Sequence, residues 1–67
     1  MNLFENMDTF VKIVDLQSMS AAADRLGLAK SVVSRRLKDL ESHLGAELFR
    51  RTTRQLVLTD TGHAYYL

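Results

Sequence analysis

Five residues in the middle of this sequence, Ser31, Ser34, Arg35, Lys38 and Ser42, do most to narrow its chemistry. Placed on a helix at about 100° per residue, they fall on one side. Arg and Lys side chains are cations that only donate hydrogen bonds, and Arg does so through a flat fork. The serines are short hydroxyls, so this side can approach another surface closely. Such a set suits an anionic partner rich in acceptors. The opposite side is apolar: Val33, Leu37, Leu40 and Leu44, spaced by four, three and four, lie within roughly 60° of arc. Asp39, Glu41 and His43 fall on the flanks. A face that is merely solvated would more often mix Glu with Lys.

The elements around this helix must hold it in place. It is expected to run from about Ala29 or Lys30 to Leu44, with Gly45 as its left-handed stop. Before it, Ser20 is a good N-cap for a short helix opened by Ala21, Ala22 and Ala23 and ending near Leu26. Gly27 suits the left-handed end of that helix, and Leu28 can plug the space between the two. Two helices about a tight Gly-centred turn, the second apolar on one side and cationic on the other, have the build of a helix-turn-helix DNA reader. Arg36 sits about 60° from the apolar stripe, where it would cover that stripe or pair with a carboxylate.

The flanking segments read as support. From Leu3 to Leu16, apolar Phe4, Met7, Phe10, Val11 and Val14 recur at helical spacing, with Asp8, Lys12 and Asp15 opposite. This buttress carries no base-reading chemistry. After Gly45, Leu48 and Phe49 start one short strand and Leu56 to Leu58 form another, with Thr52 to Gln55 between them. Arg50, Arg51 and Arg54 cluster there, so the hairpin is either a wing that touches a phosphate backbone or minor groove, or a solvated basic hairpin. Thr59 can cap a last helix, with Asp60 in its first turn. That pattern still runs at Leu67, and we expect a piece of a longer chain, cut inside a helix. The predicted organisation is a DNA-binding domain over residues 1–58 and the start of a linker helix over 59–67.

Bulk properties exclude several other classes. Sixty-seven residues make one small domain at most. There is no Cys, hence no disulfide scaffold and no thiolate zinc site. No segment has the length or apolarity of a signal peptide core or a membrane span, so a soluble, cytoplasmic domain without membrane contact is expected. The net charge of +1 hides an asymmetry. Residues 1–25 set Lys12 and Arg25 against Glu5, Asp8, Asp15 and Asp24, while residues 26–67 set seven Lys and Arg against four Asp and Glu. The second part is poised to meet an anion. His43 and His63 are isolated, without a carboxylate–nucleophile set or further metal ligands. No enzyme, metal site or cofactor is expected.

Several separated motifs, in order, resemble the N-terminal DNA-binding domain of LysR-type transcriptional regulators over essentially the whole chain. They are Phe10, Ser18-Met-Ser-Ala-Ala-Ala-Asp-Arg-Leu26, Val33-Ser34-Arg35, Leu40-Glu41, Leu44-Gly45, Leu48-Phe49, Arg51, Arg54, and Leu58-Thr59 with Gly62. The resemblance implies a mostly α fold: a winged helix-turn-helix with a three-helix core, a two-stranded β wing and the start of a C-terminal linker helix. It implies sequence-specific binding of double-stranded DNA in a bacterial regulator. It places recognition-helix positions at Ala29, Lys30, Ser31, Val32, Ser34, Arg35 and Lys38, wing positions at Arg51 and Arg54, and phosphate-contacting serines at Ser18 and Ser20. Many members carry a Ser N-cap where this chain has Ala29, and Gln where it has Lys30. Lys favours guanine O6/N7 or a phosphate over the adenine contact that Gln makes.

These readings predict that Lys30, Ser31, Ser34 and Arg35 lie nearest the base edges. Lys38, Arg51, Arg54, Ser18 and Ser20 would hold the backbone. Arg35 can take a guanine bidentately or grip a phosphate. Arg50 and Arg51 alternate along a strand, so at most one of them would face DNA. One domain reads few bases, so the resemblance implies a homodimer or higher oligomer on a dyad operator, with a small-molecule effector acting through a separate domain. This piece alone is expected to be monomeric or weakly dimeric. The competing class is a winged-helix protein-interaction module without DNA binding, which predicts a large exposed apolar patch.

Overall fold

Turn and cap chemistry divides the chain where the sequence suggests. In the computed structural model, which describes residues 2–51 and 56–66 (Arg51 as backbone only), α1 spans Leu3–Leu16, α2 Met19–Leu26 and α3 Lys30–Leu44. Strands β1 (Phe49–Arg51) and β2 (Leu56–Leu58) follow, then α4 (Asp60–Tyr66). Gly27 and Gly45 close α2 and α3 at φ 69° and 68°, a left-handed conformation that costs glycine least. Gln17 closes α1 in the same region, at φ 54°. This is the winged helix-turn-helix read from the sequence.

The core lies where the three long helices meet. Phe10 and Ile13 of α1, Met19, Ala22 and Ala23 of α2, and Val33, Leu37 and Leu40 of α3 are buried, joined by Leu48. Ala22 and Ala23 carry only a methyl group, which allows α2 to pack closely on both neighbours. Leu28 and Leu44 pack against the edge of this core. The apolar stripe read on α3 is therefore the one it buries.

Helix α1 departs from its expected face. The buried side holds Asn6, Thr9, Phe10 and Ile13, while Phe4 is 88% exposed. At about 100° per residue, Phe4 lies about 120° round from Phe10. Met7, Val11 and Val14 border the core rather than centre it. The helix has α2 and α3 as neighbours, and the shared contact is wider than an apolar stripe. Two polar residues complete it. Thr9 Oγ1 donates to the Glu5 carbonyl oxygen at 2.8 Å and accepts from Arg36 at 3.5 Å. The N-cap of α2 also differs: Ser18, not Ser20, holds that position, accepting from the Ala21 amide at 3.1 Å.

The wing is an antiparallel pair with Phe49 opposite Leu58, Arg50 opposite Val57 and Arg51 opposite Leu56. It is fastened to the body by Phe49, whose ring centroid is 5.5 Å from that of Phe10. Thr59 caps α4 as expected, its hydroxyl accepting from the Gly62 amide at 3.0 Å. Gly62 is buried where any Cβ would collide with the Leu48 carbonyl oxygen and the Leu58 side chain. At the far end of α4, the Tyr66 hydroxyl donates to the Asp15 carboxylate of α1. That hydrogen bond and the negative charge of Asp15 raise the phenol pKa above its ordinary value of 10.0.

Candidate nucleic-acid interface

The turn between α2 and α3 decides how α3 is presented. Leu28 donates its amide to the Ala23 carbonyl at 2.9 Å, and Gly27 donates to Asp24 at 3.3 Å, which ties off the end of α2. The chain then enters α3 through Ala29, in extended conformation at φ −68°, ψ 146°. Ala29 has no side-chain oxygen to offer the first turn, so that turn is uncapped by side chains. Ala29 and the first two helical residues, Lys30 and Ser31, are all exposed.

Along α3, Ser31, Arg35, Lys38 and Ser42 are exposed and Ser34 is half-buried. They stand on the side away from Val33, Leu37 and Leu40. Among the described residues, no ion pair involves Lys30, Arg35 or Lys38. Exposed large apolar residues are Leu3, Phe4, Val57, Tyr65 and Tyr66, none of them on this helix. Arg36 behaves as its angle suggests: it turns inward, 3.5 Å from the Glu5 carboxylate of α1.

The serines of α2 fall at its start. Ser18 is half-buried, and its oxygen is already occupied in accepting from Ala21, which leaves its O–H free to donate. Ser20 is exposed in the first turn. In the wing, Arg50 is exposed and paired in register with Val57, itself 42% exposed. Arg51 is described only as the strand position opposite Leu56. Arg54, with the rest of residues 52–55, lies outside the described residues.

Sequence reasoning set Glu41 on a flank and gave it no work. In the structure its Oε2 accepts from the Leu48 amide at 2.7 Å and from the Phe49 amide at 3.4 Å. The available signal was a carboxylate on the last turn of a helix that ends in glycine, so that the following strand returns beside it. Asn6 was also missed. It is buried, and among the described residues its Nδ2 finds no partner.

Comparison with known proteins adds independent findings. Residues 4–63 match the model of a family described as bacterial regulatory helix-turn-helix protein, lysR family. Over 60 residues the chain is 58% identical to an HTH-type transcriptional repressor of Pseudomonas aeruginosa, covering 90% of this chain and 19% of that protein. Over 62 residues it is 48% identical to the HTH-type transcriptional regulator CrgA of Neisseria meningitidis, covering 92% of this chain and 21% of that one. The chain thus spans only a fifth of the length of these relatives. Among solved structures, it resembles the DNA-binding domain of CbnR in complex with DNA, with a TM-score of 0.90 and 33% identity over 98% of this chain and 75% of that one. The BenM DNA-binding domain bound to catB site 1 DNA gives a TM-score of 0.89 and 38% identity, over 98% of this chain and 72% of that one.

Proposed function

Because the chain belongs to the LysR family of bacterial regulatory helix-turn-helix proteins, we propose that it binds double-stranded DNA sequence-specifically as the DNA-binding domain of a transcriptional regulator. The observation that carries this reading is the outer side of α3. Cations and small hydroxyls stand exposed there, without carboxylate partners among the described residues, on a helix seated by its other side. A major groove about 12 Å wide admits such a helix.

In this reading the start of α3 enters the groove. Lys30, Ser31, Ser34 and Arg35 meet base edges, with Arg35 bidentate on guanine. Lys38, the Ser18 and Ser20 hydroxyls and the wing residues Arg51 and Arg54 hold phosphates or the minor groove and fix the register. Residues 1–58 form the reading unit, and 59–67 begin a linker helix that pairs two copies on a dyad site. An effector acts through the remainder of the regulator, and the chain itself performs no catalysis. Working on bacterial DNA puts it in the cytoplasm. An interaction module without DNA binding would need an apolar patch on this side, where Ser and cations stand instead.

The test is affinity as a function of salt, on a duplex selected from a random pool. If about four phosphates are neutralised per copy, log K falls with log salt at a slope near −3.6. Affinity that stays constant from low to high salt would overturn the DNA reading.

A further inference from the structure

Glu41 ties the end of α3 to the root of the wing by two of its own groups, carbonyl and carboxylate. The Glu41 carbonyl oxygen accepts from Gly45 and, at 3.2 Å, from Ala46, ending α3. Its carboxylate reaches past that turn to the Leu48 amide at 2.7 Å and the Phe49 amide at 3.4 Å. The Leu48 peptide is then gripped from the other side. Its carbonyl accepts from the Thr59 amide at 3.0 Å, Thr59 Oγ1 donates to the Glu47 carbonyl at 2.7 Å, and Gly62 packs against the same Leu48 oxygen. Strand β1 begins at Phe49 and β2 ends at Leu58, so both wing strands leave the body at this point.

We propose that Glu41 is a positioning residue for the wing, fixing its tilt relative to the outer side of α3. The inference rests on the DNA-binding reading above and deepens it. The fully buried Leu48 side chain anchors the wing root in the core, but an apolar anchor is non-directional. Two amide donors, Leu48 and Phe49, converging on one carboxylate oxygen supply the direction. Leverage makes that direction matter. A three-residue strand carries its end about 10 Å from the root, so a tilt of about 10° moves that end by about 2 Å. Hydrogen bonds to phosphate or base do not survive such a displacement. Glu41 therefore acts by setting the direction of the wing strands and touches no DNA itself.

The experiment is a set of double-mutant cycles read by DNA affinity on the selected duplex. Glu41→Ala is expected to weaken binding about tenfold, the loss of about one charge-assisted hydrogen bond between the wing and a phosphate. Glu41→Gln keeps an acceptor and is expected to recover most of this loss. With Arg51→Ala and Arg54→Ala already present, Glu41→Ala should add almost nothing, because the wing no longer contributes. With Arg35→Ala present, the losses should multiply, because that contact is independent. Slow amide exchange at Phe10 and Leu40 verifies that each variant is folded, and Glu41→Asp, one methylene shorter and so drawn back from both amides, carries the same cycles if Glu41→Ala is not. Losses that multiply with the wing arginines as fully as with Arg35, or an affinity unchanged by Glu41→Ala, overturn the proposal while the DNA reading stands. If the unmodified chain binds no duplex in a salt-dependent way, the DNA reading falls and takes this proposal with it.

Discussion

Arg35 and Arg36 are chain neighbours with the same functional group and opposite surroundings. Arg35 is exposed on the outer side of α3, with no ion pair among the described residues. Arg36, about 100° further round the helix, folds back on α1, 3.5 Å from both the Glu5 carboxylate and the Thr9 hydroxyl. The same division separates Lys38, exposed, from Glu41, whose carboxylate is turned to the wing root. The inner residues brace the helix, and the outer cations have no ion-pair partner among the described residues. A count of cations does not distinguish these roles. What decides them is which groups the fold brings within reach.

Removing the seat under both sides should have the largest effect. Leu40 is fully buried, and Leu40→Ala is expected to cost about 3 kcal/mol through lost burial and a residual cavity. Urea unfolding measures it, and a loss under about 1 kcal/mol would mean that α3 is held by something other than its apolar stripe. The outer side comes next. Arg35→Ala should leave stability nearly unchanged yet weaken binding to the preferred duplex by about 2 kcal/mol, roughly 30-fold, with a smaller loss on unrelated duplexes. Equal loss on all sequences would make Arg35 a phosphate contact and redraw the boundary between reading and gripping residues.

The two sides were not equally legible. The apolar stripe of α3 could be read because its buried contacts are all apolar and recur at helical spacing, so periodicity and burial coincide. The turn at Gly27, the stop at Gly45 and the cap at Thr59 were legible for a similar reason, since each is a local backbone requirement met by a local residue type. The buried side of α1 was not. Asn6 and Thr9 lie inside it, and a polarity scale places them outside. Thr9 is satisfied by the Glu5 carbonyl within its own helix and by Arg36, twenty-seven residues away. Glu41 was invisible for the same reason: its partners are backbone amides that the fold brings beside it after the chain has turned. The outward residues were found by elimination from the stripe, whereas the braces depend on contacts that spacing does not encode.

The capping residues on either side of the turn give a smaller, opposed pair of effects. Ser18 caps α2 through its side chain, and Ser18→Ala should cost about 1 kcal/mol in thermal unfolding. Ala29 occupies the same position before α3 in a compatible extended conformation but offers no acceptor. Ala29→Ser should therefore stabilise the chain, by about 0.5 to 1 kcal/mol. If Ala29→Ser destabilises instead, the first turn of α3 is constrained by its neighbours rather than short of a cap.

The smallest effect belongs to the brace that opened the comparison. The Arg36 and Glu5 side chains are 23% and 56% exposed, so solvent screens their pair. Arg36→Gln should cost only about 0.5 kcal/mol of stability. Its value lies in what it leaves unchanged. If Lys38 grips a phosphate as proposed, Lys38→Gln should flatten the salt slope by about 0.9. Arg36→Gln removes the same charge from the same helix, yet the guanidinium faces α1, so the slope should remain that of the unmodified chain. A slope flattened equally by both would show that net charge alone draws the chain to DNA. Unequal slopes would show that the direction of each side chain, set by the packing beneath it, separates the reading side from the brace.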